Sequence, residues 1–279
     1  MERLPQPENQ LPKNARRFAI EVRGSTFKFL ELKAGKPSDV LLVHFPGFRE
    51  DGPHYAVSMH RELGQVHDTL ALDGYGETFS RELLVEALSR AIQQTGKQKI
   101  ILHGTSFGSS VVYDLISDPV AKDFLKSAHV FGAILETPFL DKQHLKSRTR
   151  LLPDRSFMRG AEMLDRIIGN ARSLGSQQEG SVDLPKSQQR SLLQEAIREK
   201  TVEGRTITIP IHVVLAENEN LSDNAKIIKT LESQATEIST STVKSAEESG
   251  HRIADEEYEP MWKKERAFMD RLEGKVKAS

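Results

Sequence analysis

Five short, continuously apolar runs limit what this chain can fold into: VLLVHF from Val40, TLAL from Thr69, KIILH from Lys99, VFGAIL from Val130 and IPIHVVL from Ile209. A strand with one wet face alternates apolar and polar residues, so unbroken runs of this length predict strands covered on both faces. Helical periodicity separates them. Between Ser80 and Thr95, residues Leu84, Ala87, Leu88, Ala91 and Ile92 form one stripe, and Gly96 supplies a C-terminal stop. Further helices are expected from near Ser222, with Ala225, Ile228 and Leu231 inward, and through Met261, Trp262, Phe268, Met269 and Leu272. This alternation predicts an α/β fold with a mostly parallel central sheet flanked by helices. Ahead of it, Phe18 to Val22 and Thr26 to Leu32 alternate around Gly24-Ser25, the pattern of an antiparallel hairpin.

The alternation stops over residues 141–205. Apolar clusters at Phe157, Met158, Met163, Leu164, Ile167 and Ile168, and again at Leu192, Leu193, Ala196 and Ile197, suit amphipathic helices joined by the polar, turn-rich stretch SLGSQQEGSVDLPKSQQ. The expected organisation is therefore a polar tail (1–16), a core (17–140 and 206–279) and an inserted helical cap (141–205). The Ser/Thr-rich run at 238–243 registers only as low complexity.

Charge and composition narrow the function. Lys plus Arg number 39 and Asp plus Glu 40, a net charge of −1, so no global field attracts a phosphate backbone and nucleic acid is not an expected partner. Without cysteine there is no disulfide, thiolate metal site or thiol nucleophile. No apolar run reaches the length of about 18 residues that spans a membrane, and the first sixteen residues lack the apolar stretch of a secretory signal, so the expected location is the cytoplasm. The nine histidines show no H-x-x-x-H pair, and His54 and His60 are six apart, off a common helical face. No metal or cofactor is expected.

The chemistry centres on Gly104-Thr105-Ser106-Phe107-Gly108, directly after the KIILH strand and before the helical SSVVYDLI. A serine hydroxyl is a weak nucleophile. It needs exposure, a neighbouring base and backbone N–H groups to hold a developing oxyanion, and a sharp strand-to-helix turn can provide this setting. Flanking glycines permit the close backbone approach, and Ser109 and Ser110 keep the helix near the sheet.

At this point the chain resembles the α/β-hydrolase superfamily, from about residue 17 to the C-terminus apart from the insertion. The hairpin, the strand ending His44-Phe45-Pro46-Gly47-Phe48 and the segment Ala71-Leu72-Asp73-Gly74-Tyr75-Gly76 follow the family order. The resemblance implies Ser106 as nucleophile, the Phe107 N–H as one oxyanion donor, and Phe48 as the second, with Phe45 as alternative, because two residues intervene between His44 and Gly47. It implies His251 as base, in Ser249-Gly250-His251-Arg252. His44, His103 and His212 lie in expected strands, and His54, His60, His67, His129 and His144 read as surface or loop residues. The acid implied is Glu219, in Ala216-Glu217-Asn218-Glu219-Asn220, with Asp223, Glu217 and Glu136 as alternatives. Asp223 also suits a helix cap. The expected activity is hydrolysis of a small or medium carboxylic ester through an acyl-enzyme on Ser106. The alternatives are carbon–carbon bond hydrolysis by the same triad and ligand binding without turnover. The sequence assigns no oligomeric state.

Overall fold

A computed structural model of the chain describes residues 11–47, 52–63, 65–75, 80–118, 121–138, 140, 144, 205–219, 222–245 and 253–278. Among them, β1 (Ala15–Val22), β2 (Ser25–Leu32), β3 (Val40–Phe45), β4 (Asp68–Leu72), β5 (Lys99–Thr105), β6 (Val130–Glu136), β7 (Ile211–Ala216) and β8 (Ile238–Val243) form one sheet in the order β1-β2-β4-β3-β5-β6-β7-β8. Only β2 runs against the rest: it is antiparallel to β1 and β4, and every other neighbouring pair is parallel.

The helices are α1 (Gly52–Glu62), α2 (Arg81–Thr95), α3 (Phe107–Ser117), α4 (Lys122–Ser127), α5 (Asn224–Gln234) and α6 (Tyr258–Ala278). One sheet face packs Leu41, Leu70, Leu102 and Val213 against Leu88 of α2, Val112 of α3, Phe124 of α4 and Leu231 of α5. The other packs Leu42, Ile101, Ile134 and Val214 against Met59 of α1 and Trp262, Phe268 and Leu272 of α6. Burial on both faces is why the strand sequences carry no alternation.

Local chemistry fixes the ends. Ser80 caps α2 by accepting from the Leu83 N–H, and Gly96 stops it at φ 69°. The hairpin turn lies one residue earlier than the sequence pattern suggests. Arg23 and Gly24 both have positive φ, 47° and 81°, with Val22 paired to Ser25, as a two-residue I′ turn requires. α5 begins after Asp223, so Ala225 is exposed and Ile227 takes the inward position beside Leu231. The low-complexity run ISTSTV is β8, the sheet's last strand, where one neighbour and a wetter face favour hydroxyl side chains.

Three of the histidines read as surface or loop residues are buried: His60 contacts Thr69 Oγ1 at 2.9 Å, His67, in the connection before β4, contacts Ser38 Oγ at 3.3 Å, and His144 contacts Thr230 Oγ1 at 2.9 Å. β1 begins at Ala15, two residues inside the expected tail. The expected cap, 141–205, lies outside the described residues except for His144 and Arg205. Arg205 anchors the return of the chain by donating to Asp114 Oδ1 and Ser117 Oγ, both at 3.0 Å. No helix among the described residues is long and apolar enough to cross a membrane.

Candidate active site

β5 ends at Thr105 and α3 begins at Phe107, which leaves Ser106 to turn the chain. Its backbone sits at φ 50°, ψ −111°, a conformation that costs an L-residue on the order of 1–3 kcal/mol. The surroundings hold it there. The Ser106 N–H donates to the Glu136 carbonyl at 2.9 Å, and the Ser109 N–H donates to the Ser106 carbonyl at 3.0 Å. The Ser109 hydroxyl faces the carbonyls of Gly104 and Glu136. A Cβ on Gly104 would lie 2.5 Å from the Gly108 carbonyl, and one on Gly108 would lie 2.0 Å from the Phe45 oxygen. Only glycine lets β3, β5 and the start of α3 meet this closely. Ser106 is half-buried and its side chain makes no capping bond to α3.

Phe107 opens α3, so its N–H precedes the intrahelical ladder. Its buried ring meets Tyr75 edge-on, with centroids 5.1 Å apart, and the Tyr75 hydroxyl donates to the Pro46 carbonyl at 2.6 Å. Phe45 is buried at the end of β3, paired with Gly104. Phe48 lies outside the described residues.

The four candidate acids occupy different settings. Register sets the ends of β5 and β6 level, since Thr105 pairs with Glu136, and β7 runs past them, since Glu136 pairs with Val214 and β7 ends at Ala216. Glu219 lies just past the end of β7, 3% exposed, and its Oε1 accepts from the Ser222 N–H at 3.2 Å. Glu217 is exposed. Asp223 caps α5, accepting from the Lys226 N–H at 3.2 Å. Glu136, the last residue of β6, is fully buried, and its carboxylate is engaged by His103 Nε2 at 3.0 Å and by the Thr105 hydroxyl at 2.8 Å. His251 lies outside the described residues. On either side of it, Ser245 and Ile253 pair as an antiparallel bridge, and the Ala254 N–H donates to the Lys244 carbonyl at 3.0 Å.

No protein-family model and no curated protein sequence matches the chain. Solved structures do. A soluble variant of monoglyceride lipase from Saccharomyces cerevisiae, in complex with a substrate analog, superposes with a TM-score of 0.68 over 96% of this chain and 98% of that one, at 11% identity. An α/β-hydrolase fold protein from Chitinophaga pinensis gives 0.59 over 92% and 98%, at 17% identity. The chain has the α/β-hydrolase fold. A thermophilic esterase from Thermogutta terrifontis shares it, at 0.62 over 92% and 99% with 18% identity. Identities this low speak to the α/β-hydrolase fold alone, and chemistry resides in the side chains that the fold presents.

Beneath the turn, this α/β-hydrolase core holds an ionisable cluster that sequence reasoning missed. On the sheet face covered by α1 and α6, the apolar rows of β3, β5 and β6 end in His44, His103 and Glu136, and Glu265 of α6 projects among them; all four are fully buried. His44 Nδ1 and His103 Nδ1 are 2.9 Å apart. His103 Nε2 lies 3.0 Å from Glu136 Oε1 and 3.5 Å from Glu265 Oε2. The Tyr55 hydroxyl donates to Glu136 Oε1 at 2.7 Å and Thr105 Oγ1 donates to Glu136 Oε2 at 2.8 Å.

Burial alone would discharge His103, but the two carboxylates hold its pKa up at about 10. Burial opposes charge on Glu136 as well, yet His103 and the donors around it pull its pKa down to about 2. Burial and the Glu136 charge push Glu265 up to about 8. Burial and the His103 cation keep His44 neutral. With protons alone, the cluster thus holds one cation, one anion and one neutral acid. Its only sequence signal is a histidine at the same register position of two adjacent apolar runs, His44 opposite His103.

Proposed function

We propose that the chain is a serine hydrolase that cleaves small or medium carboxylic esters. The observation that carries this reading is Ser106 in a strained, half-buried turn between β5 and α3, next to the first N–H of a helix. Such strain persists only where surrounding structure over-determines it, and it collects at functional sites. The lipase and esterase named among the structural neighbours are consistent with this chemistry.

In the proposed mechanism, Ser106 Oγ attacks the ester carbonyl while His251 takes the hydroxyl proton. The N–H groups of Phe107 and Phe48 receive the oxyanion. Collapse expels the alcohol, which leaves with the proton from His251. Water then attacks the acyl-enzyme, giving its proton to His251, and Ser106 regains a proton as the acid departs. Glu219 orients His251 and stabilises its cation. Burial just past the end of β7 favours it over the exposed Glu217, and Asp223 is committed to capping α5. Residues 141–205 serve as a cap that limits acyl length, so Leu164→Ala should shift preference along an ester series.

Incubation with a fluorophosphonate probe tests the reading. Stoichiometric labelling that disappears in Ser106→Ala supports it. An unlabelled wild-type protein with no esterase activity would sink it in favour of a binding protein, and turnover of diketones but not esters would reassign it to carbon–carbon bond cleavage.

A further inference from the structure

Hydrogen bonding in the cluster below the turn fails most at Glu265. His44 Nε2 lacks one partner, but at Glu265 both carboxyl oxygens are without a hydrogen bond among the described residues, although the residue is fully buried. A buried carboxyl group in that state is costly, and either a proton shared with the neighbouring carboxylate or a bound ion would account for it. The atoms facing it are arranged as ligands. One nitrogen and two carboxylate oxygens, from His103, Glu136 and Glu265, lie within 4.8 Å of one another. A cation held about 2.0–2.2 Å from such atoms in tetrahedral geometry spaces them by roughly 3.4 Å. The separations of 3.0 and 3.5 Å from His103 Nε2 to the two carboxylates bracket that value.

We propose that His103, Glu136 and Glu265 form a buried structural site for a divalent first-row transition metal of the Zn²⁺ class, joining the C-terminal helix to the strand that presents Ser106. The donor set selects the ion. One imidazole with two carboxylates suits Zn²⁺, Mn²⁺ or Fe²⁺, whereas Ca²⁺ and Mg²⁺ favour all-oxygen shells and Cu⁺ favours sulfur, which a chain without cysteine supplies only from methionine. Two carboxylates and a neutral imidazole balance a divalent charge, so a closed, dry site carries no net charge.

The surrounding partners fit as well. His103 Nδ1–H donating to His44 Nδ1 leaves the Nε2 lone pair facing the carboxylates, and Tyr55 and Thr105 hold Glu136. The three ligands come from β5, β6 and α6. Metal binding would therefore stabilise the tertiary fold, independently of any hydrolytic activity.

Refolding the full chain with Zn²⁺ or with EDTA, then dialysing against EDTA, tests this. About one zinc per chain should resist dialysis, and the zinc-refolded protein should melt several degrees higher than the EDTA-refolded one. Glu265→Gln should lose both the zinc and the difference in Tm, while Asp270→Asn, on an exposed position of the same helix, should keep both. If Glu265→Gln does not fold, cobalt-refolded wild-type protein supplies the readout, since a low-coordinate nitrogen–oxygen site gives visible d–d absorption that octahedral hydrated cobalt lacks at that intensity. Wild-type protein retaining no stoichiometric zinc and showing no such cobalt spectrum would overturn the proposal and leave a cluster held by protons alone. Retention of zinc by folded Glu265→Gln would overturn it equally.

Discussion

At Ser106 stability and the proposed nucleophilic role pull in opposite directions. A φ of 50° is strained for any side chain with a Cβ and unstrained for glycine, so Ser106→Gly should raise stability by about 1 kcal/mol over Ser106→Ala in urea denaturation. Both variants should lose roughly 10⁴-fold or more in kcat, because neither has an Oγ. A Ser106→Gly protein no more stable than Ser106→Ala would mean the turn is not held in this conformation. The acid allows a second residue-level comparison. Glu219→Gln should cost on the order of 10³–10⁴-fold in kcat, through weaker stabilisation of the His251 cation. Glu217→Gln should be nearly silent, and Asp223→Asn should lose at most capping energy of about 0.5–2 kcal/mol, with kcat retained. A larger kcat loss at Glu217 or Asp223 than at Glu219 would reassign the acid. The turn at Ser106 was legible in the sequence because its setting shows in adjacent residues: glycines, a strand before, a helix after. The buried cluster was not, since its members lie on three strands and a distant helix and only the packed sheet brings them together.

Elements fit together here through glycines that the sequence alone cannot rank. Gly108, in the first turn of α3, packs against the end of β3, where an added methyl would meet the Phe45 backbone at 2.0 Å. Backbone cannot rotate out of the way, so Gly108→Ala should destabilise by about 3 kcal/mol or more, or push α3 off β3 and abolish the proposed esterase activity. Gly132 of β6 looks equally tight, with a neighbour at 2.3 Å, but that neighbour is the tip of Leu272 on α6, which can change rotamer. Gly132→Ala should therefore cost about 1 kcal/mol or less, and urea midpoints of the two variants compare them directly. The same contrast explains which elements the sequence revealed. Strands buried on both faces announce themselves as apolar runs. β8, last in the sheet and written ISTSTV, carries no such signal, and its strand identity comes from pairing with β7.

Over the whole molecule, acid should unfold this protein partly through its neutral histidines. His212 on β7 is the clearest, because its pKa falls to about 4, first through burial and then through the positive charges of Arg271 and Lys264, with Glu136 opposing them weakly. Its ring lies between the Ser239 and Ser241 hydroxyls, at 2.9 and 3.2 Å, and stacks on Phe268 with centroids 5.4 Å apart. An unfolded histidine titrates near 6.5, so between about pH 6.5 and 4 the unfolded chain binds the proton that the folded chain refuses. The stability this group contributes is complete above pH 6.5, falls as pH drops through that window, and is gone below about pH 4. The shift corresponds to a loss on the order of 3 kcal/mol. His60 and His67, held below their usual range chiefly by burial, act in the same direction. His212→Gln keeps a polar group for the serines and cannot titrate, so urea titrations should show a shallower loss of stability from pH 6.5 to 4 than in wild type. The two proteins should differ least near pH 4, where the wild-type advantage has gone. Parallel pH profiles for the two would show that His212 is protonated in the folded state and that its pocket is open to water.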